Sequence, residues 1–478
     1  MTRPLACRAL MLGVAVAAAA LPAPPAAAAT RLPPETTAAL RRASVPSSAL
    51  SVVVHDLTTD RPVLRWREDP PVNPASLVKL LTTAAALDRL GPAYTWATPV
   101  WLTGPVRDGV LEGSLVIQGR GDPRLTLERV WSLLRRVQQL GVREIRGDIV
   151  LDSSAFDLPD TDPGDFDGEP LRPYNVRPAA LLFNFRSVFY TFTPDIAAGV
   201  ARVSVEPPLA GKVADHSVPL AAGPCADWRG ALKASFEPGR TRFGGTYATA
   251  CGELGWPVAD PEPATFEGRL LLGLWREMGG TLHGTVHAGA APADRPPNFE
   301  MHSPALAELV RDINKFSNNL MAQQLYYTLA LQARPGERAT PDSARDTLQR
   351  WLAERSGPLG GGVVLENGSG LSRGTRISAA RLARVLVQAW DSPVMSELMS
   401  SLPVSGLDGT LRRARMAPGR AHLKTGSLRD VTALAGYVLS NSGRRYVVVA
   451  IVNHDKAGAA RPALDTLVQW TLRDAPAF

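Results

Sequence analysis

A change of texture divides this chain of 478 residues into three stretches, and it constrains the fold more than any other feature. Ser51 to Leu57 (SVVVHDL) reads as a strand, Thr58 to Arg61 as a turn, and Val63 to Trp66 as the partner strand. A helix follows. Asn73 is a natural N-cap and Pro74 a natural first residue, and Leu77, Leu80, Leu81, Ala84 and Leu87 keep one face apolar up to Gly91. From about 96 to 290 short strand-like runs, such as Val100 to Thr103 and Ser114 to Ile117, alternate with Gly, Pro and Asp turns. Two helical segments interrupt them, Leu127 to Leu140 and Phe266 to Met278. Helical periodicity returns at His302. Ser303 and Pro304 cap a segment to about Lys315, and a second runs from Asn318 to about Leu331. Leu423 to Ser427, Ala433 to Leu439 and Tyr446 to Val452 read as strands, with a turn at Asn441-Ser442-Gly443 and a last helix from Ala463 to Leu472. These boundaries divide the chain into 30–95, 96–289 and 290–478, the middle stretch strand-rich.

The first 29 residues stand outside that plan. Arg3 and Arg8 make a positive start, Ala9 to Leu21 is apolar, and Ala26 to Ala29 offers a small-residue cleavage site before Thr30. The expectation is a cleaved signal peptide and an exported, periplasmic or extracytoplasmic protein. Leu5-Ala6-Cys7 looks like a lipobox, but no apolar segment precedes it. No later stretch reaches the roughly 18 apolar residues of a membrane helix, so no transmembrane segment is expected in the mature chain. Cys7 leaves with the leader. Cys225 and Cys251, 26 positions apart in an oxidising compartment, are expected to form one disulfide, with two buried free thiols as the alternative.

Composition removes some function classes. Hydrophobic residues at 45% and charged residues at 20% suit a folded soluble protein. The net charge of +7 is spread along the chain with no basic run and no interleaved aromatics, which argues against nucleic-acid binding. Only six of the 52 basic residues are lysine, as a GC-rich genome would leave them. The acid-rich run Asp157 to Pro170 reads as a solvated loop, with a cation site as the alternative. His283 and His287 are four apart, but Gly284-Thr285-Val286 between them reads as strand, so no metal is expected.

Three short motifs carry chemistry. In Ser76-Leu77-Val78-Lys79, positions i and i+3 of a helix share a face, so an amine stands beside a hydroxyl. Serine is a poor nucleophile until a neighbour removes its proton, and Lys79 can do so only with a lowered pKa. In Ser317-Asn318-Asn319 a hydroxyl and a carboxamide at a helix junction can face one cleft: Ser317 to relay a proton, Asn319 to hold substrate backbone. In Lys424-Thr425-Gly426-Ser427 a cation with the Thr425 hydroxyl can hold a carboxylate, Gly426 leaves room for a substrate along the strand, and the Ser427 N–H can join that of Ser76 in an oxyanion hole. Each motif alone arises by chance. Two of only six lysines at motif positions make the set informative.

With these motifs the chain resembles the penicillin-binding D-alanyl-D-alanine carboxypeptidase/endopeptidase family of the DacB (class C) type. Gly119-Arg120-Gly121-Asp122-Pro123, Asn367-Gly368-Ser369-Gly370-Leu371-Ser372-Arg373, Leu402-Pro403 through Gly406-Leu407-Asp408-Gly409-Thr410-Leu411, and His422 through Leu428 support that subfamily. So does spacing: Ser317 lies 241 positions after Ser76, room for the large insert of the class C type. The resemblance implies one α/β domain from residues 30–95 and 290–478, a serine β-lactamase/transpeptidase-like domain with an antiparallel sheet flanked by helices, with one or two strand-rich domains, 96–289, inserted into it. It implies an acyl-serine peptidase acting on peptidoglycan stem peptides, with Ser76, Lys79, Ser317, Asn319 and Lys424 catalytic and Thr425, Gly426, Ser427, Arg373 and Arg429 at the substrate. It implies covalent inhibition by β-lactams, no metal or other cofactor, and it allows a homo-oligomer.

Three positions depart from the family pattern. Asn318 replaces an aspartate that is not expected to touch substrate. Asn367 also replaces an aspartate, which is expected to alter a buried hydrogen bond. Arg429 stands where a side chain faces the stem peptide and is expected to favour an acidic donor side chain. Two other readings stand beside it: a catalytically degenerate penicillin-binding sensor or scaffold, which the intact motifs disfavour, and a β-lactamase, which the long insert disfavours. A Ser-His-Asp hydrolase lacks its nucleophile elbow, and Ser369 reads as part of a loop at the cleft rim.

Overall fold

The apolar runs Val431–Leu439 and Arg445–Asn453 lie inside an antiparallel sheet with strands Leu50–Asp56, Arg61–Trp66 and Ala421–Leu428. The order places Arg61–Trp66 at one edge and Ala421–Leu428 at the other. Their patterns are continuous rather than alternating because both faces are covered. Ala433, Ala435, Val447, Val449 and Ile451 pack under the helices Val78–Leu90, Leu306–Lys315 and Ala379–Trp390. Leu434, Val438, Val448, Ala450 and Val452 pack on the helices Pro34–Arg42 and Arg461–Leu472. The fold is mixed α/β with several sheets, as expected. The computed structural model describes residues 28–475, so the expected leader, apart from Ala28 and Ala29, lies outside the described residues. Among the described residues no helix is long and apolar enough to cross a membrane.

Residues between the two halves of this sheet build four further sheets around a second core that includes Leu134, Tyr190, Phe192, Leu270 and Trp275. The chain enters along Ala97–Leu102 and returns along Phe299–His302, which pairs antiparallel with it. The expected helices are present as Leu127–Gln139 and Phe266–Glu277. Cys225 and Cys251 are joined by a disulfide, their Cα atoms 4.8 Å apart.

Local differences from the sequence reading are informative. Asn73 does begin the nucleophile segment, but as a turn: its Oδ1 accepts from the Ala75 N–H, Ala75 is left-handed (φ 47°), and Ala75–Leu77 is a 3-10 turn before the α-helix Val78–Leu90. Ser303 does not cap the helix Leu306–Lys315; its hydroxyl accepts from the Trp96 N–H and ties the returning chain to the outgoing one.

Candidate active site

Period-two alternation along the edge strand sets the geometry. Lys424 pairs with Ala435 and Gly426 with Ala433, so both point to the face that carries the nucleophile segment. Gly426 is needed for close packing. A Cβ there would stand 2.8 Å from the Pro74 carbonyl oxygen. The missing side chain lets the strand lie against the Ser76 turn. Gly370 presses on that turn from the other side: it is left-handed (φ 81°), and a Cβ would fall 2.0 Å from the Ala75 oxygen. Asn73 completes the cradle, donating to the Ser372 carbonyl and exchanging two hydrogen bonds with Asn453.

Within this cradle Lys79 Nζ donates to Ser76 Oγ at 3.1 Å, to Asn319 Oδ1 at 2.6 Å and to the Ser369 carbonyl. Ser369 is fully buried, so it lies beneath the site and not at its rim as the sequence suggested. Lys424 Nζ donates to Ser317 Oγ at 2.9 Å and to the Thr425 carbonyl at 2.8 Å. Both lysines are fully buried with no carboxylate among these partners. Burial, and then the nearby charge of Lys424, hold the Lys79 amine well below the ordinary lysine value. Burial lowers Lys424 to about 7. A lysine held this way can accept a proton near neutral pH.

Ser317 itself is left-handed (φ 56°), which for a serine costs of order 1–3 kcal/mol. It sits between two helices. Asn318 is the N-cap of Asn319–Ala333, its Oδ1 accepting from the Met321 N–H. Asparagine and aspartate cap equally well, so the replacement in this motif keeps the cap. Asn367 keeps its loop too. Its Oδ1 accepts from Ser369 and Gly370, and its Nδ2 donates to the Leu371 carbonyl at 2.7 Å, a bond a carboxylate cannot make.

Ser76, Ser317, Asn319, Ser427, Arg373 and Arg429 line a cleft of about 740 Å³. Thr425 is not among the residues that line it; its hydroxyl stands 2.9 Å from that of Thr410. Part of the wall was not foreseen. Phe166, Asp167 and Tyr174, from the acid-rich run and the residues after it, close the cleft on the insert side. Arg373 reaches across to stack over Phe166 at 4.6 Å and to pair with Asp430 at 3.2 Å, while Asn319 Nδ2 donates to the Tyr174 carbonyl. Burial pushes the Asp167 carboxyl up, but hydrogen bonds from Asn175 and Tyr174 win and hold it below the ordinary range. The run is therefore a loop with one side on the cleft.

The model of the family described as D-Ala-D-Ala carboxypeptidase 3 (S13) matches residues 36–473. A D-alanyl-D-alanine carboxypeptidase of Actinomadura sp. (strain R39) is 31% identical over 468 residues, covering 91% of this chain and 83% of the relative. The D-alanyl-D-alanine carboxypeptidase DacB of Haemophilus influenzae is 24% identical over 390 residues, covering 80% of this chain and 81% of the relative. The crystal structure of penicillin binding protein 4 (dacB) from Haemophilus influenzae superposes with a TM-score of 0.75 at 21% identity, covering 93% of this chain and 99% of that one. The chain belongs to the D-Ala-D-Ala carboxypeptidase 3 (S13) family, and it is a serine peptidase.

Proposed function

We propose that this chain hydrolyses peptidoglycan stem peptides, releasing terminal D-alanine and opening D-alanyl cross-bridges, through an acyl-enzyme on Ser76. The observation that carries the reading is the pairing of two buried amines with two hydroxyls in one cleft: Lys79 with Ser76 and Lys424 with Ser317. Lys79 takes the Ser76 proton as Oγ attacks the carbonyl carbon of the penultimate D-alanine. The carbonyl oxygen becomes an oxyanion between the N–H groups of Ser76 and Ser427. The C–N bond breaks as Ser317 relays to the leaving amine the proton that Lys79 took, which leaves Lys79 neutral again, and Lys424 with Thr425 holds the leaving carboxylate. Water then attacks the ester, with its proton returned by way of Lys79, and frees Ser76. Thr425 to Leu428 supply an edge along which an extended peptide can lie, since the pairing of Pro403–Ser405 with this strand stops at Leu423.

Arg429 at the cleft supports a preference for an acidic donor side chain, and Asp167 across the wall adds a partner for an ammonium on the same group. Kinetics on stem peptides with and without a side-chain carboxylate, for Arg429→Ala against wild type, test that preference; an unchanged ratio removes it. β-Lactams are read as acylating Ser76. The Haemophilus influenzae relative has been crystallised with a β-lactam. The leader-like stretch from Arg3 to Ala29 supports export from the cytoplasm. Residues 30–95 and 290–478 are taken as the catalytic domain and 96–289 as an insert that supplies one wall. Digestion of purified cross-linked muropeptides, with products identified by mass, tests the whole reading. Free D-alanine and split dimers are expected; intact dimers and pentapeptides contradict it.

A further inference from the structure

The segment Ser401–Leu411 has no part in the chemistry above, yet it touches the third motif and the helix end two residues before the second. On one side it grips the end of the helix Leu306–Lys315. Asn314 Nδ2 donates to Ser401 Oγ at 2.8 Å. Lys315 Nζ, on a side chain only 4% exposed, donates to the Leu402 carbonyl and to Asp408 Oδ2, each at 2.6 Å. Gly409 lies so close that a Cβ would stand 2.5 Å from the Lys315 carbonyl oxygen. On the other side the segment is bound to the edge strand. Ser405 N–H donates to the Ala421 carbonyl and Leu423 N–H to the Pro403 carbonyl, each at 2.9 Å. The Thr410 and Thr425 hydroxyls meet at 2.9 Å. Asp408 is fixed in turn, its Oδ1 accepting from the Val404 N–H at 2.7 Å.

Ser317 needs support of this kind. A non-glycine residue at φ 56° persists only where its neighbours hold it. Downstream, the Asn318 cap holds it. Upstream, the anchor is Lys315, two residues away, and the anchor of Lys315 is Asp408. The same segment is bonded to the strand that carries Lys424, so it spans the gap that the Ser317–Lys424 hydrogen bond must close.

We propose that Asp408 is a positioning residue for the peptidase: its ion pair with Lys315 holds Ser317 Oγ within reach of Lys424, and so sets the rate of Ser76 acylation. The inference rests on the reading of Ser76 as nucleophile and Ser317 as proton relay. Asp408 acts through Ser317 and touches no substrate.

A double-mutant cycle tests it. Asp408→Asn and Ser317→Ala are made singly and together, and the second-order rate of labelling by a fluorescent penicillin is read for each. Asp408→Asn is expected to slow labelling about 10- to 100-fold in the wild-type background and less than about 2-fold in the Ser317→Ala background. Asp408→Glu, which keeps the charge, is expected to recover part of the rate. Equal losses in both backgrounds, as a merely structural role gives, overturn the proposal, and so does a wild-type rate in folded Asp408→Asn. If circular dichroism shows Asp408→Asn unfolded, Lys315→Arg carries the same cycle with the same expectations. A wild-type chain that takes no label overturns the nucleophile reading together with this one, whereas labelling with additive losses overturns this one alone.

Discussion

The Lys79 amine stands 3.1 Å from the Ser76 hydroxyl, fully buried, on the turn of helix that follows the nucleophile. A base in this position must be able to lose its own proton. Lys79→Ala is expected to lower the rate of D-alanine release about 10²- to 10⁴-fold, the usual worth of a positioned base. Lys79→Arg keeps the charge but cannot deprotonate, so it should give no rescue. Steady-state release of D-alanine from a pentapeptide checks both, and recovery in the arginine variant would show that charge alone matters.

The pH dependence follows from the second amine. Lys424 is lowered by burial to about 7, so its charged form is complete below that pH and is lost as pH rises through it. Binding of a substrate carboxylate should weaken over the same interval. The KM for a peptide ending in D-alanine is expected to rise above about pH 7, while that of its C-terminal amide, which has no carboxylate to hold, stays flat. Parallel profiles for the two peptides would separate Lys424 from carboxylate binding.

Close approach at Gly370 supplies a test of the nucleophile turn. Gly370→Ala places a methyl group 2.0 Å from the Ala75 oxygen at a left-handed position, so it must displace Ser76. Penicillin labelling is expected to be lost. Gly458→Ala, with nothing within 4 Å of the new methyl, serves as the control and should label normally.

The stack of Arg373 over Phe166 ties the insert wall to the catalytic side of the cleft. An exposed cation–π contact is worth about 0.5–1 kcal/mol, a factor of roughly 2 to 5. Phe166→Ala and Arg373→Ala are each expected to raise KM for a cross-linked dimer by about that factor. A small β-lactam, which does not reach the wall, should acylate at the wild-type rate. Equal losses for both ligands would place the defect at Ser76 instead.

How much of this was legible in the chain follows from which residues carry local signals. The sheet strands were, because Val431–Leu439 and Arg445–Asn453 are apolar on both faces. The lysines were, because so few stand in the chain and two fall at i+3 from a serine and before Thr-Gly. The bend at Ala75 was not, since Asn73-Pro74 fits a regular helix start equally well and only contact with Gly370 and Gly426 requires the turn. Nor was the cleft wall. Phe166, Asp167 and Tyr174 lie in a polar, Pro-rich and Gly-rich stretch with no periodicity, and their position depends on contacts with Arg373 and Asn319 far along the chain. Ser369 illustrates the same limit: a Gly-flanked serine reads as loop surface, and its burial follows from the helices packed around it.

The central claim is that Ser76 forms the acyl-enzyme. Peptide mapping by mass spectrometry after reaction with benzylpenicillin tests it most directly. The mass of the intact drug is expected on the peptide that contains Ser76, and on no peptide of the Ser76→Ala variant. An adduct on Ser317, Ser369 or Ser427, or an adduct that persists undiminished in Ser76→Ala, would contradict it.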